Sequence, residues 1–412
     1  MPRLLRPATL ALLGGAVLWT VAAIALWNAT QLPSLDLPQL DPHRYFSDSF
    51  LQRSADYELF LGFLGLIGSI VLVTVLVLYA WHGPRLVRES AAGRVGTGML
   101  LAMLGFAVVW LAEVPFDLLG LWWQRRHDVS HQGYLQHLLF GFLGLGGTFV
   151  FLCLGIGIMM GLAGVMRRWW WLAAVPAFVA VGLLSAFLGP YLVPGTKPLD
   201  KPVLQQEARA LERIEGTGES RLRVQEVHEF TDAPNAETVG LGPTTTIVLW
   251  DTLLDGDFSP AEVRFVVAHE IGHVAHDDVL KRVGWLALFL LPALGLTAYL
   301  TRRQGGLARP EAIPVAILVL TVTQLLAAPL LNTAFRREEA TADWAALEAT
   351  HDPAAATSSF RRLATKSLSN PDPPFWIDGL YGNHPTMMER IAMAEAWEAP
   401  AQKPIDSGSR PH

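Results

Sequence analysis

Between positions 259 and 276 the sequence reads Ser-Pro-Ala-Glu-Val-Arg-Phe-Val-Val-Ala-His-Glu-Ile-Gly-His-Val-Ala-His. His269 and His273 are four residues apart. On a helix that spacing sets both imidazoles on one face, where they can grip a single metal ion. Glu270 follows the first histidine and can reach a water beside that metal. The chemistry such a trio can perform is hydrolysis. A zinc ion brings the pKa of water toward neutrality, and the carboxylate takes the proton as attack begins. The bland alternative is a helix with two surface histidines and a solvated glutamate. The start of the helix argues against it: Ser259 suits the N-cap, Pro260 the first turn and Glu262 the third position, a capping box with a proline start.

A catalytic zinc needs a third protein ligand and keeps one position open. His276 shares nearly the same helix face, but it is too close in sequence to complete a tetrahedron without bending the helix. A longer motif with glycine at 276 and histidine at 279 is ruled out, because His276 and Val279 stand there. The remaining candidate is the run Arg336-Arg337-Glu338-Glu339-Ala340-Thr341-Ala342-Asp343. Glu339 and Asp343 are spaced i, i+4. Glu339 could bind the metal while Asp343 accepts the N–H of a ligating histidine. On spacing alone, an acid-rich helix start explains the run equally well.

The elements that must position these residues are embedded in an apolar chain. Of 412 residues, 51% are hydrophobic and 17% charged, and the mean hydropathy is +0.33. Soluble domains carry about 25% charged residues, so a fully soluble enzyme is not expected. Seven apolar stretches reach the roughly 20 residues needed to cross a bilayer: 8–27, 58–81, 97–122, 139–165, 169–190, 284–301 and 313–334. Trp81, Trp122, Trp123 and Trp169 to Trp171 flank them beside arginines, as interfacial anchors do. Arg3 and Arg6 would suit a signal peptide, but the first apolar run is longer than such a segment and lacks a cleavage site, so it reads as a retained anchor. Glu113 and Asp117 surround Pro115 inside the third stretch, where ionisable groups face water or a protein interior. Charge does not orient the protein. Arg3, Arg6 and the 82–96, 166–168 and 302–312 loops are basic, but Lys197, Lys201, Lys281, Arg282, Arg336 and Arg337 balance them on the other side. The net charge of −6 and the absence of a basic tract argue against a nucleic-acid partner. The single cysteine, Cys153, cannot form an internal bridge.

Two polar segments remain, 195–283 and 336–398. Two crossings separate them, so both emerge on one side and can join into one domain. Residues 201–215 show the stripe of an amphipathic helix. Residues 221–230 and 244–250 read as strands, with Pro234, Gly240, Gly242 and Pro243 marking turns. The run 244–249 could be an edge strand that captures an extended peptide through Thr246, Ile247 and Val248, although an ordinary sheet strand has the same pattern. The tail from 399 is rich in Pro, Ser and Gly and is expected to be disordered.

Taken together, His269-Glu270-Ile271-Gly272-His273, Glu339-Ala340-Thr341-Ala342-Asp343 and His384-Pro385 resemble the integral-membrane gluzincin peptidases of the M48 type. Within that group the chain is similar to the CAAX prenyl protease 1 (Ste24) branch. Asn235-Ala236 with the following Gly240, Ile247 to Leu253, Val114-Pro115-Phe116-Asp117-Leu118 and Tyr191 to Leu199 carry the likeness, which spans about 40–395. The resemblance implies that His269, His273 and Glu339 hold one zinc ion, that Asp343 supports a ligand, that Arg336 belongs to the catalytic set, and that His384 stabilises the tetrahedral oxyanion. It also implies that Asn235 and the neighbouring strand bind peptide, and that the membrane helices enclose a water-filled chamber. Glu237-Thr238 replace the aromatic pair usual after the Asn-Ala step, and Phe335 replaces a serine before Arg336.

The fold expected is mainly α: seven transmembrane helices with a gluzincin-type zinc peptidase domain of helices and a small sheet. The expected segments are 1–194 with five transmembrane helices, 195–283 with the zinc helix, 284–335 with two more spans, 336–398 completing the peptidase domain, and 399–412 as tail. The expected function is a multi-pass membrane zinc endopeptidase acting on a peptide or protein, lipid-modified or membrane-bound. Three alternatives stand: an HtpX-like quality-control protease, an intramembrane protease, and a scaffold with a dead site. Arg264, Asp277 and Asp278 around the motif disfavour zinc inside the bilayer.

Overall fold

The structure is a computed structural model that describes residues 7–33, 36–86 and 92–398. Arg3, Arg6, Arg88 and the tail 399–412 lie outside the described residues. In chain order the helices and strands are α1 (Pro7–Asn28), α2 (Asp48–His82), α3 (Gly93–Arg126), α4 (Tyr134–Met166), α5 (Trp170–Leu192), β1 (Thr196–Pro198), α6 (Pro202–Glu215), β2 (Arg221–Gln225), β3 (Ala236–Val239), β4 (Thr246–Trp250), α7 (Pro260–Ala275), α8 (Asp278–Leu300), α9 (Ile313–Thr350), α10 (Pro353–Ser367), α11 (Phe375–Tyr381) and α12 (Met387–Glu398).

The chain divides into two compact units. One comprises 1–30, 60–188 and 278–334; the other comprises 31–59, 189–277 and 335–412. The first is the apolar one. Five helical stretches among the described residues are long and apolar enough to cross a membrane: Asp48–Arg85, Gly93–Arg126, Tyr134–Leu192, Asp278–Gln304 and Pro310–Thr350. The expected apolar stretches fall on these helices and on α1. Tyr134–Leu192 holds two of them, 139–165 on α4 and 169–190 on α5, separated by a 3-10 turn at Arg167–Trp169 where Arg167 takes φ 53°. α1 runs over 22 residues, about 33 Å at 1.5 Å per residue, enough for the roughly 30 Å hydrocarbon core. α1 packs within its unit, where Trp19 Nε1 donates to Leu288 O on α8 at 2.7 Å. Glu113 and Asp117 line a cleft of about 730 Å3 between α2, α3 and α4, together with Gln124, Gln132 and His137.

The second unit wraps helices around a four-stranded sheet of order β1-β2-β4-β3. β2 and β4 are parallel, and the outer pairs are antiparallel. This overturns the edge-strand reading of 244–249. β4 lies inside the sheet, hydrogen-bonded on both sides, and Thr246, Ile247 and Val248 are almost wholly buried. The edge is β3. Its polar Glu237 and Thr238 hide the strand from a reading based on apolar alternation. β2 stops at Gln225, not at 230, because the Asp251 carboxylate captures the next backbone donors, Val227 N at 2.9 Å and His228 N at 3.2 Å. Gly240 turns the chain from β3 into β4 at φ +100°, with Thr244 O so close that a side chain would clash.

The core of this unit joins Leu211 of α6, Ile247 and Leu249 of β4, Phe265 and Val267 of α7, and Phe360 of α10. Segment 31–59, which the sequence reading assigned to the membrane half, packs on the same core through Phe46 and Tyr45. Tyr45 also bonds Glu395 through its hydroxyl, and Arg361 Nε donates to its carbonyl at 2.9 Å.

Candidate active site

The site is built on α7. Ser259 Oγ accepts from Glu262 N at 3.3 Å, and Glu262 Oε2 accepts from Ser259 N at 2.6 Å, which closes the expected capping box. Glu262 is itself buried, and Ser358 and Arg362 of α10 tie it down. Phe265 meets Phe360 edge-on at 5.3 Å. α7 is therefore fixed at its start and along its apolar face before it presents His269, Glu270 and His273. His276 ends the helix by bonding Gly272 O at 2.8 Å through Nδ1, so it serves as a cap.

Glu339 and Asp343 arrive on α9. Gly272 lets α9 come close, since a Cβ there would sit 3.1 Å from Ala342 Cα and 3.2 Å from Ala342 O. The result is a triangle of donor atoms. His269 Nε2 and His273 Nε2 are 3.2 Å apart, His269 Nε2 and Glu339 Oε2 are 3.3 Å apart, and His273 Nε2 and Glu339 Oε2 are 3.5 Å apart. Ligands held tetrahedrally at about 2.0–2.1 Å from one ion lie roughly 3.4 Å from each other. The three donors thus fit a single metal ion, and they form the one His/Cys/Asp/Glu group with metal-binding spacing among the described residues.

Asp343 is fully buried and its Oδ1 lies 2.9 Å from His269 Nδ1. An ionised carboxylate only accepts, so Nδ1 carries the proton and Nε2 keeps its lone pair for the metal. Behind Asp343 stands a residue the sequence reading missed. Arg390 on α12 donates through Nε to Asp343 Oδ2 at 2.7 Å and through Nη2 to Oδ1 at 2.6 Å, and it stacks over the Phe360 ring at 4.3 Å. One signal pointed to it: a lone arginine opening the buried run Ile391-Ala392-Met393-Ala394. Burial pushes the Asp343 carboxyl up, but the Arg390 charge and the His269 hydrogen bond outweigh it and hold the group down to about 2. Burial likewise opposes charge on Glu339, yet the surrounding His273, His269 and His384 keep its carboxyl well below the usual range.

Glu270 is buried beside the triangle. Thr238 on the edge strand holds it: Thr238 Oγ1 lies 2.8 Å from Glu270 Oε2 and 2.9 Å from Glu270 O. Thr238 is thus a second residue of the site that the motif did not disclose. Its neighbour Glu237 has its carboxyl pushed up by burial and then by the charge of Glu270. His384 reaches the same place, with Nε2 3.1 Å from Glu339 Oε2 and Nδ1 2.8 Å from Asn383 Oδ1. Asn235, Ala236, His269, Glu270, His384 and Arg390 line one cavity. Arg336, expected in the catalytic set, bonds the segment ahead of His384. Its Nη1 donates to Asp378 O at 2.9 Å and to Gly382 O at 2.7 Å, which fixes the loop leading to His384. Of the residues expected to bind peptide, only Asn235 lines the cavity; Thr246, Ile247 and Val248 do not.

Residues 200–398 match the profile of peptidase family M48. The chain is 27% identical over 314 residues to a metalloprotease of Bacillus subtilis (strain 168), YhfN, covering 72% of this chain and 73% of that one. It is 30% identical over 183 residues to a protease HtpX homolog of Methylibium petroleiphilum, covering 39% of this chain and 64% of that relative's length. The crystal structure of S. mikatae Ste24p shares the fold with a TM-score of 0.69 at 16% identity, covering 92% of this chain and 96% of that one.

Proposed function

We propose that this chain, whose residues 200–398 match peptidase family M48, is a membrane-embedded zinc endopeptidase of the cell membrane whose substrates are membrane-bound or lipid-modified proteins. The observation that carries this reading is the convergence of His269, His273 and Glu339 with Glu270 held beside them. Two imidazole nitrogens and one carboxylate oxygen form the donor set of catalytic zinc sites that keep an open position. Bound there, zinc supplies a Lewis acid that polarises the scissile carbonyl and favours ionisation of water.

The chain's own residues do the rest. Glu270 takes the proton of the attacking water and delivers it to the departing amine. Thr238 fixes the direction of that carboxylate. Asp343, clamped by Arg390, sets the His269 tautomer. His384, on the loop braced by Arg336, donates to the oxyanion of the tetrahedral intermediate. The outer edge of β3 has no strand partner among the described residues. An extended peptide can add there by main-chain hydrogen bonds, close to Asn235 and within reach of Glu270.

The likeness to the HtpX homolog favours a second diet for the same chemistry, misfolded membrane proteins in place of one processed terminus. The test compares wild type with Glu270→Ala, both purified in detergent with verified metal content, on quenched peptides with and without a C-terminal farnesyl group and on an unfolded membrane protein. Cleavage by wild type alone is expected. Preference for farnesylated peptides favours processing, and preference for the unfolded protein favours quality control. Equal cleavage by both proteins, or none by a metal-loaded wild type, removes the proposal.

A further inference from the structure

A second cleft lies wholly within the membrane unit, where helices end. α4 stops at Met166, the turn Arg167–Trp169 follows, and α5 starts at Trp170. Beside them α8 stops at Leu300 and a 3-10 turn, Thr301–Gln304, leads to Gly305 and Gly306. These two corners enclose a cleft of about 790 Å3. Its floor is apolar: Ala163, Trp170, Ala298 and Leu307 are buried there. Its rim is cationic, formed by Arg167, Arg168 and Arg302.

None of the three guanidiniums is paired with a carboxylate among the described residues. Two rest on aromatic faces, which hold them without neutralising them. Arg168 lies 5.1 Å from the Trp169 ring centre and Arg302 lies 5.5 Å from that of Tyr299. More positive charge gathers at the same end. Arg303 and Arg309 flank the second corner, and the turn carrying Arg85 packs beside Pro310–Ala312. Three arginines scattered along an interface would only satisfy the preference for headgroup-level cations. Here they surround one recess with an apolar base, at the ends of helices long and apolar enough to cross a membrane. Basic recesses between membrane helices take anionic headgroups, and guanidinium is well matched to phosphate.

We propose that this cleft binds the phosphate of an anionic phospholipid, with Arg167, Arg168 and Arg302 on the headgroup and Trp170 and Leu307 beneath it. The site is separate from the peptidase chemistry and does not depend on it. The experiment equilibrates the purified full-length protein with mixed phosphatidylglycerol and phosphatidylcholine micelles and measures the lipid retained by native mass spectrometry. Wild type retains phosphatidylglycerol preferentially. The triple substitution Arg167→Gln, Arg168→Gln, Arg302→Gln lowers that preference by at least about tenfold. The single Arg302→Gln lowers it partially, which keeps the test decisive if the triple variant fails to fold. The control Arg125→Gln, Arg126→Gln, at the C-terminal end of α3, leaves it unchanged. Undiminished preference in Arg302→Gln and the triple variant overturns the proposal, as does an equal loss in the control. Displacement of the lipid by millimolar inorganic phosphate, but not by chloride at equal ionic strength, assigns the cleft to a soluble phosphate and overturns the lipid assignment.

Discussion

Replacing Arg390 by Met separates what holds the second unit together from what tunes its metal. Arg390 and Asp343 form a bidentate pair in which both side chains are buried. Removing one partner leaves the other's charge in a dry interior, which costs about 3–5 kcal/mol, a large part of the roughly 5–15 kcal/mol that keeps a domain folded. The remaining partner of Asp343 is His269, one of the three proposed metal ligands. Loss of such outer support weakens metal binding by roughly 10–100-fold. Arg390→Met should therefore be less stable without metal and bind zinc more weakly. The double variant Arg390→Met, Asp343→Leu removes both charges. It should regain most of the stability while zinc affinity stays low, because His269 Nδ1 has lost its acceptor. Thermal unfolding of the metal-free proteins reads the first quantity, and zinc competition against a chromophoric chelator reads the second. If the double variant recovers affinity along with stability, Asp343 does not orient His269 and the proposed chain from Arg390 to the metal is wrong.

Three further outcomes follow from the same geometry. Thr238→Val removes a hydrogen bond to a charged group worth about 1.5–3 kcal/mol, so kcat should fall roughly 10–100-fold with KM little changed, and Thr238→Ser should restore it; a matching rise in KM would point to lost substrate binding instead. Gly272→Ala drives a methyl against the α9 backbone at Ala342, so destabilisation of about 1–3 kcal/mol and weaker zinc binding are expected, measured by unfolding and chelator competition; wild-type values for both would show that α9 yields freely. Asp343 has a folded pKa near 2 against an ordinary 3.8. A depressed carboxyl stabilises the fold above its unfolded pKa and loses that contribution as pH falls through the folded value. Acid titration of the metal-free protein should therefore show about 2 kcal/mol disappearing between about pH 4 and pH 2, and Asp343→Asn should lack that step.

The residues of the metal triangle were legible because local rules place them. The spacing of His269 and His273 is a helix property, and the Ser259–Glu262 box announces where that helix begins. Glu339 needed more, since only the fold brings a helix 70 residues downstream against Gly272. Thr238 and Arg390 were hidden for opposite reasons. Thr238 sits on a four-residue strand with two polar positions, so no alternation marked it, and its partner is 32 residues away. Arg390 is a charge on a buried face, which has meaning only once Asp343 is known to lie opposite. The misplaced edge strand has a plain physical cause. A run as apolar as Thr246 to Trp250 is what a central strand, covered on both faces, requires, whereas an edge can remain polar.

The distribution of the site along the chain has a consequence for biosynthesis. His269, Glu270 and His273 leave the ribosome first, then two membrane helices, then Glu339 and Asp343, and Arg390 last. The growing chain holds Glu270, the proposed base, early but lacks the third donor until α8 and α9 have been made. It lacks the arginine that steadies the buried aspartate until almost the whole protein exists. Metal capture therefore reports completion of both the last membrane hairpin and α12. On the proposed function, a truncated or stalled product carries the motif without its full donor set, so the order of the segments would keep it from cutting its neighbours in the membrane.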